Sequence, residues 1–186
     1  LMMYHLPEFE KYTEITGFRQ IDYAQAEAFL KTCRKQTNHT ELQIFDADLI
    51  ATPQHLYFAV LNALQAFRTK TNIAKSIAVE LMLYASANRQ IQRAIEHIGI
   101  KPESLNIAVV IVGDDADAVT AQLNALSKWL GCVPDDSVLG LNMNKQRKIQ
   151  AAFEISTVEL ETVKGSPEEV LVALVIERMA LLSTQV

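Results

Sequence analysis

The segment from Ser166 to Leu182, SPEEVLVALVIERMALL, holds seven consecutive aliphatic residues, Val170 to Ile176. Ser166 and Glu169 form a capping box around Pro167, so the segment reads as a helix. Over two turns those seven side chains point to every azimuth, and a helix that is apolar all round must be covered all round. One stripe, Val170, Leu174 and Leu181, can lie on the chain's own sheet. The opposite stripe, Leu171, Val175 and Leu182, then needs a second cover, either the chain's own loops or a partner protein. Seven residues fall far short of the roughly 20 that a bilayer span requires, so this is a buried helix and no membrane partner is expected.

A chain of 186 residues, 49% hydrophobic and 21% charged, can bury such a helix within one domain over residues 1–186. Cys33 and Cys132 lie far apart without a CxxC pair. They read as free buried thiols of a cytoplasmic protein. The opening LMMYHL is too short and uncharged for a signal peptide and reads as part of the fold.

Alternating and capped segments outline the elements. Asp22 caps a helix whose inner face is Ala26, Phe29, Leu30 and Cys33. Leu42 and Ile44 alternate with Gln43 as in a strand. Thr52 and Pro53 open a helix with Leu56, Val60, Leu64 and Phe67 inside. Ile77 to Ala85 is rich in large apolar residues and reads as a strand, with helix possible in the turn from Ile73 to Ala78. Asn88 caps a helix carrying Ile91, Ala94, Ile95 and Ile98 on one face, which Gly99 ends. Asn106 to Gly113 is a continuous apolar strand buried on both faces or at the sheet centre. Helices follow over Val119 to Leu130 and Lys145 to Phe153, then a short strand-like ISTVELETV before the last helix. The sum is an α+β fold, with helices layered on a mixed β-sheet.

Catalytic and metal signatures are absent from the sequence. His5, His39, His55 and His97 are scattered, without ligand spacing. Asp114, Asp115 and Asp117 could hold magnesium, yet acids at a helix start are explained by the helix dipole. There is no G-x-S-x-G, no cysteine with a neighbouring histidine, no P-loop and no GxGxxG. A non-catalytic protein without metal or cofactor is the expectation.

Charge is segregated. The formal net charge is -5, yet from Gln65 to Ile95 five cations, Arg68, Lys70, Lys75, Arg89 and Arg93, face Glu80 alone. Within that island Ser86, Asn88, Arg89 and Gln90 occupy the junction before a helix N-terminus, whose free amides favour anions. Arg89 and Arg93 stand one turn apart. Two readings remain open: a capped helix start with solvated cations, and a phosphate or nucleic-acid seat. Tyr84 and Ile91 could offer flat or apolar surfaces to unstacked bases, and the other reading of Tyr84 is a core residue.

The succession IFDADLIATPQHLYFAVLNAL, NIAKSIAVELMLYASANRQIQRAIEHIGI, NIAVVIVG and a hydrophobic last helix resembles the KEOPS (EKC) complex subunit family that includes the PRPK-binding protein. ELMLYASANRQI looks closest to its archaeal members, and Ala87 stands where eukaryotic relatives tend to carry proline. The resemblance implies a non-catalytic subunit of the complex that makes threonylcarbamoyladenosine in tRNA. Such a subunit binds and activates the small atypical kinase/ATPase subunit and captures the tRNA 3′ CCA end. On this reading Lys70, Lys75, Tyr84, Ser86, Asn88, Arg89, Gln90, Ile91 and Arg93 meet RNA, and Leu171, Val175, Arg178 and Leu182 meet the kinase. A pure kinase adaptor without RNA binding is the alternative.

Overall fold

The computed structural model describes residues 2–36 and 39–185. In chain order its elements are β1 (Met2–Leu6), β2 (Lys11–Phe18), α1 (Tyr23–Lys35), β3 (Thr40–Asp46), α2 (Thr52–Arg68), α3 (Ile77–Ser86) and α4 (Ile91–Ile98). Then come β4 (Ile107–Gly113), α5 (Ala116–Leu130), α6 (Met143–Ala152), α7 (Thr157–Thr162) and α8 (Pro167–Leu182). They group into two compact units, Leu1–Ala47 with Gly99–Val138 and Asp48–Ile98 with Leu139–Val186.

The first unit is a four-stranded sheet in the order β1-β2-β4-β3 carrying α1 and α5. Every pairing is antiparallel, where the sequence reading expected a mixed sheet. The α+β class stands. The N-terminal residues supply the strand pair that makes the difference. Pro7–Phe9 forms a single 3-10 turn, and Glu10, at φ 54, closes it so that β1 returns directly along β2. Leu1 of the opening segment lies outside the described residues.

As expected from its unbroken apolar run, β4 is buried along its whole length. Phe18, Ile44, Val109 and Ile111 pack from the sheet against Phe29 and Leu30 of α1 and Val119, Leu123 and Leu126 of α5. Gly17 is required by a close approach: a Cβ there would sit 2.1 Å from Val138 Cγ2 and 2.8 Å from the Ile107 carbonyl. Asp115 caps α5 through the Ala118 amide, and Asp114 pairs with Lys11. These acids therefore have structural partners.

One polar residue in this sheet is a liability. Glu14 is buried, and its Oε1 has no hydrogen-bond partner among the described residues. Burial pushes its carboxyl above the ordinary range. Since the folded protein holds this proton more tightly than the unfolded chain, the penalty appears as pH rises above about 4.5. Glu14→Gln is expected to stabilise the fold on the order of 1 kcal/mol at pH 7, the gain shrinking to nothing towards pH 4 in urea titrations.

The second unit is helical. Ile77 to Ala85, expected as a strand, lies in the helix α3: Ser76 Oγ accepts the Val79 amide and caps it, and every residue from Glu80 to Ser86 is buried. A short apolar run covered on all sides has no period to read, so strand and buried helix look alike in sequence. The strand-like ISTVELETV is α7, started by a complete Ser156–Glu159 capping box. Thr52 is not the cap of α2. The N-cap is Ala51, while Thr52 sits at φ 69 with its hydroxyl buried and unbonded.

Candidate functional site: the α3–α4 junction

The junction is shaped by how α3 ends. Ala87 turns into the left-handed region at φ 52, and its amide and that of Asn88 return to the carbonyls of Tyr84 and Leu83. Ser86 Oγ donates back to the Leu83 carbonyl at 3.0 Å, and Asn88 Oδ1 accepts the Gln90 amide at 3.0 Å. The turn is thus held by its own polar side chains, and α4 starts at a fixed angle.

A cavity of about 530 Å³ opens at this turn. Ser86, Ala87 and Asn88 form one wall, and Arg93, Glu96 and His97 of α4 another. Phe153 and Glu154 past the end of α6, with Arg178 of α8, complete it. Arg178 donates to the Phe153 carbonyl at 2.9 Å, to the Glu154 carbonyl at 3.2 Å and to both carboxylate oxygens of Glu159. That guanidinium neutralises the negative end of α6 and holds the Glu159 carboxyl below its ordinary range. Arg178, expected on a protein interface, is therefore a wall of this cavity. Its distance of some 90 residues from the junction hid the connection.

The other expected RNA contacts divide clearly. Ile91 is 45% exposed and Ile95 42%, whereas the anticipated core face included both; only Ala94 and Ile98 of that face are buried. Two isoleucines one turn apart thus form an open apolar ridge, on the side of α4 turned away from the cavity-lining Arg93. Tyr84 is buried and its hydroxyl is pushed up by that burial, so its ring belongs to the core and offers no surface to a base. Arg89 donates to the Gln185 carbonyl at 2.8 Å and lies 3.5 Å from that of Leu182, which ties the junction to the end of α8. Lys70, Lys75 and Arg93 have no side-chain ion pair among the described residues.

Behind the cavity His55 is fully buried. Its Nδ1 accepts the Ala51 amide at 3.0 Å, its Nε2 lies 2.7 Å from the Ala85 carbonyl, and its ring meets Phe153 edge-on. The two bonds assign the tautomer: Nε2 carries the proton and donates to Ala85. Burial, reinforced by the nearby Lys145 ammonium, lowers its pKa to about 4. The imidazole is a neutral brace between the start of α2 and the last turn of α3. A lone histidine in an apolar segment gave no signal of this role.

The expected kinase-binding stripe is placed differently as well. Leu171, Val175 and Leu182 are buried, and α8 packs on α2, α3, α6 and α7 of its own unit. The second cover that this helix required is its own chain. The stripe expected to lie on the sheet instead leaves Leu181 about half exposed. Beyond its exposed first turn, Pro167 to Glu169, what remains open on α8 is Ala173, Glu177, Ala180 and Leu181, with Ile176 and Arg178 half-buried. Ala173 and Ile176 line a second cavity of about 500 Å³, with Pro53, Leu141 and Val172 apolar inside it and Glu168 and Glu169 at its rim.

Among the described residues no helix is long and apolar enough to cross a membrane. Residues 18–183 match the family described as Kinase binding protein CGI-121. The Regulatory protein Cgi121 of Methanocaldococcus jannaschii is 36% identical over 115 residues, which cover 62% of this chain and 71% of that protein. The family match takes in β3 and β4 of the sheet, the junction and all of α8, and begins at Phe18, the last residue of β2. The chain belongs to the CGI-121 kinase-binding protein family.

Proposed function

We propose that this protein is a non-catalytic regulatory subunit of a KEOPS complex, binding and activating the small atypical kinase and capturing the tRNA 3′ CCA end at the α3–α4 junction. The observation that carries the RNA half is the cavity at the junction, whose wall holds Arg93 alongside Glu96, Glu154 and the Glu159-paired Arg178, together with the open Ile91–Ile95 ridge on the other side of α4. Single-stranded RNA ends are held by such combinations: cations and amides take phosphates, while flat or apolar faces take unstacked bases. The family's description as kinase binding supports the other half.

For the kinase, the open stripe of α8 and the groove beside it are the face we assign. Pro53, Leu141 and Ile176 would receive an aliphatic side chain, and Glu168 and Glu169 favour a flanking lysine or arginine on the kinase. Gel-shift titrations with intact tRNA and with tRNA lacking CCA test the RNA half. The intact form should bind more tightly, and Arg93→Glu should weaken it about tenfold with a shallower salt dependence. Equal affinity for the two tRNAs overturns end capture. Kinase binding without any RNA binding would instead establish the pure adaptor.

A further inference from the structure

Glu80 is the single acid of the cationic island, and it is fully buried. Among the described residues it has no ion pair. Its carboxylate turns back along the chain: both oxygens accept the Ile73 amide at 3.0 Å, and Oε2 accepts the Ala74 amide at 2.6 Å. Two successive amides around one carboxylate make a backbone nest filled by the protein's own anion. Asn72 reinforces it by donating to the Ala74 carbonyl at 2.9 Å, and the other end of the segment is pinned where the Thr71 amide meets the Ala66 carbonyl at 2.9 Å. The connection between α2 and α3 is thereby given one shape.

That shape sets Lys70 and Lys75 outward. Lys70 takes the left-handed conformation at φ 59, both lysines are exposed, and neither has a side-chain hydrogen bond or ion pair among the described residues. Lys75 stands at the start of α3 and Lys70 just past the end of α2, in the connection that leads to it, and the junction stands at the far end of α3. Ten helical residues separate the two ends by about 15 Å. A stacked strand rises about 3.4 Å per nucleotide, so it spans that distance only with about five or more nucleotides, beyond the reach of CCA alone.

We infer that Glu80 is a positioning residue that holds Lys70 and Lys75 as a second phosphate contact, meeting the RNA backbone on the 5′ side of the CCA end. This rests on the RNA reading of the junction. Neutralising two phosphates contributes a salt slope of about 1.4 for single strands, roughly tenfold or more in affinity near 0.1 M salt.

The test uses the full chain and two synthetic RNAs, the trinucleotide CCA and an eight-nucleotide strand ending in CCA, in anisotropy titrations at several salt concentrations. Glu80→Gln should weaken the longer RNA roughly tenfold and flatten its salt slope by about 1.4, leaving the trinucleotide unchanged. Hydrogen exchange at Ile73 and Ala74 should quicken. In a Lys70→Ala, Lys75→Ala background the same change should add nothing. Faster exchange at those amides with undiminished affinity for the longer RNA overturns the inference, as does equal loss for both RNAs. If Glu80→Gln does not fold, the double lysine variant decides alone: the affinity gained from three to eight nucleotides must vanish, and its persistence overturns the proposal. A wild-type protein that binds neither RNA overturns the RNA reading itself, and the positioning role with it.

Discussion

Replacing His55 by alanine should lower the unfolding free energy by about 3–5 kcal/mol in urea titrations at pH 7. Two losses combine. The imidazole is fully buried and meets Phe153 edge-on, so its removal leaves a cavity; it also leaves the Ala51 amide and the Ala85 carbonyl without partners. The wild-type pH profile should carry the same residue's signature. The folded protein refuses the proton until about pH 4, while the unfolded chain takes it near 6.5. A base with a depressed folded pKa therefore contributes stability that is complete above pH 6.5 and is lost as pH falls, by about 1.4 kcal/mol per unit and about 3 kcal/mol in all. Below pH 4 this contribution is flat. His55→Ala should abolish that part of the slope, and an equally steep profile in the variant would remove His55 as its source.

Val175→Asp is expected to unfold the helical unit, because an unpaired carboxylate would be placed at a fully buried position on α8. Burying a charge without a partner costs several kcal/mol, a large fraction of any domain's stability. Far-UV circular dichroism should show lost helix at 25 °C or a melting temperature lowered by ten degrees or more. Ala173→Arg is the contrast. Ala173 is exposed and lines the groove with the acidic rim. An arginine there should leave the melting temperature within a few degrees and weaken kinase pull-down, by filling the groove and repelling a cationic partner segment. Val175→Asp that folds normally and loses only the kinase would return the interface to the buried stripe.

Much of the fold was legible because caps and periods declare themselves. Asp22 does accept the amides of Ala24 and Gln25, and Ser166 with Glu169 does form the capping box of α8. Residues whose surroundings lie far along the chain were not legible. α3 carries no apolar period because it is enclosed on every side, and its large side chains mimic a central strand. In α4, Ile91 and Ile95 satisfy the helical spacing of a core face, but periodicity shows only that side chains share a face, not that anything covers it. Ser156 and Glu159 did spell a capping box at the start of α7, and the β-branched residues around them obscured it. The island of cations was visible, whereas the place of Arg178 in the cavity wall with Arg93, and that of the Glu80 carboxylate in the loop between the two lysines, emerged only when the chain folded them there.

The turn at Ala87 bears on how this site can diverge. Proline is excluded from that position on three counts: its ring fixes φ near −65°, the residue before it is driven out of the helical region, and it has no amide to return to the Tyr84 carbonyl. A single codon change from alanine to proline would therefore break the wall of the cavity before any compensating change could arise. A lineage with proline here must have reached it through a chain already bent another way. Ala87→Pro alone should therefore break the junction, and a proline here should be accepted only when the whole turn is exchanged with it.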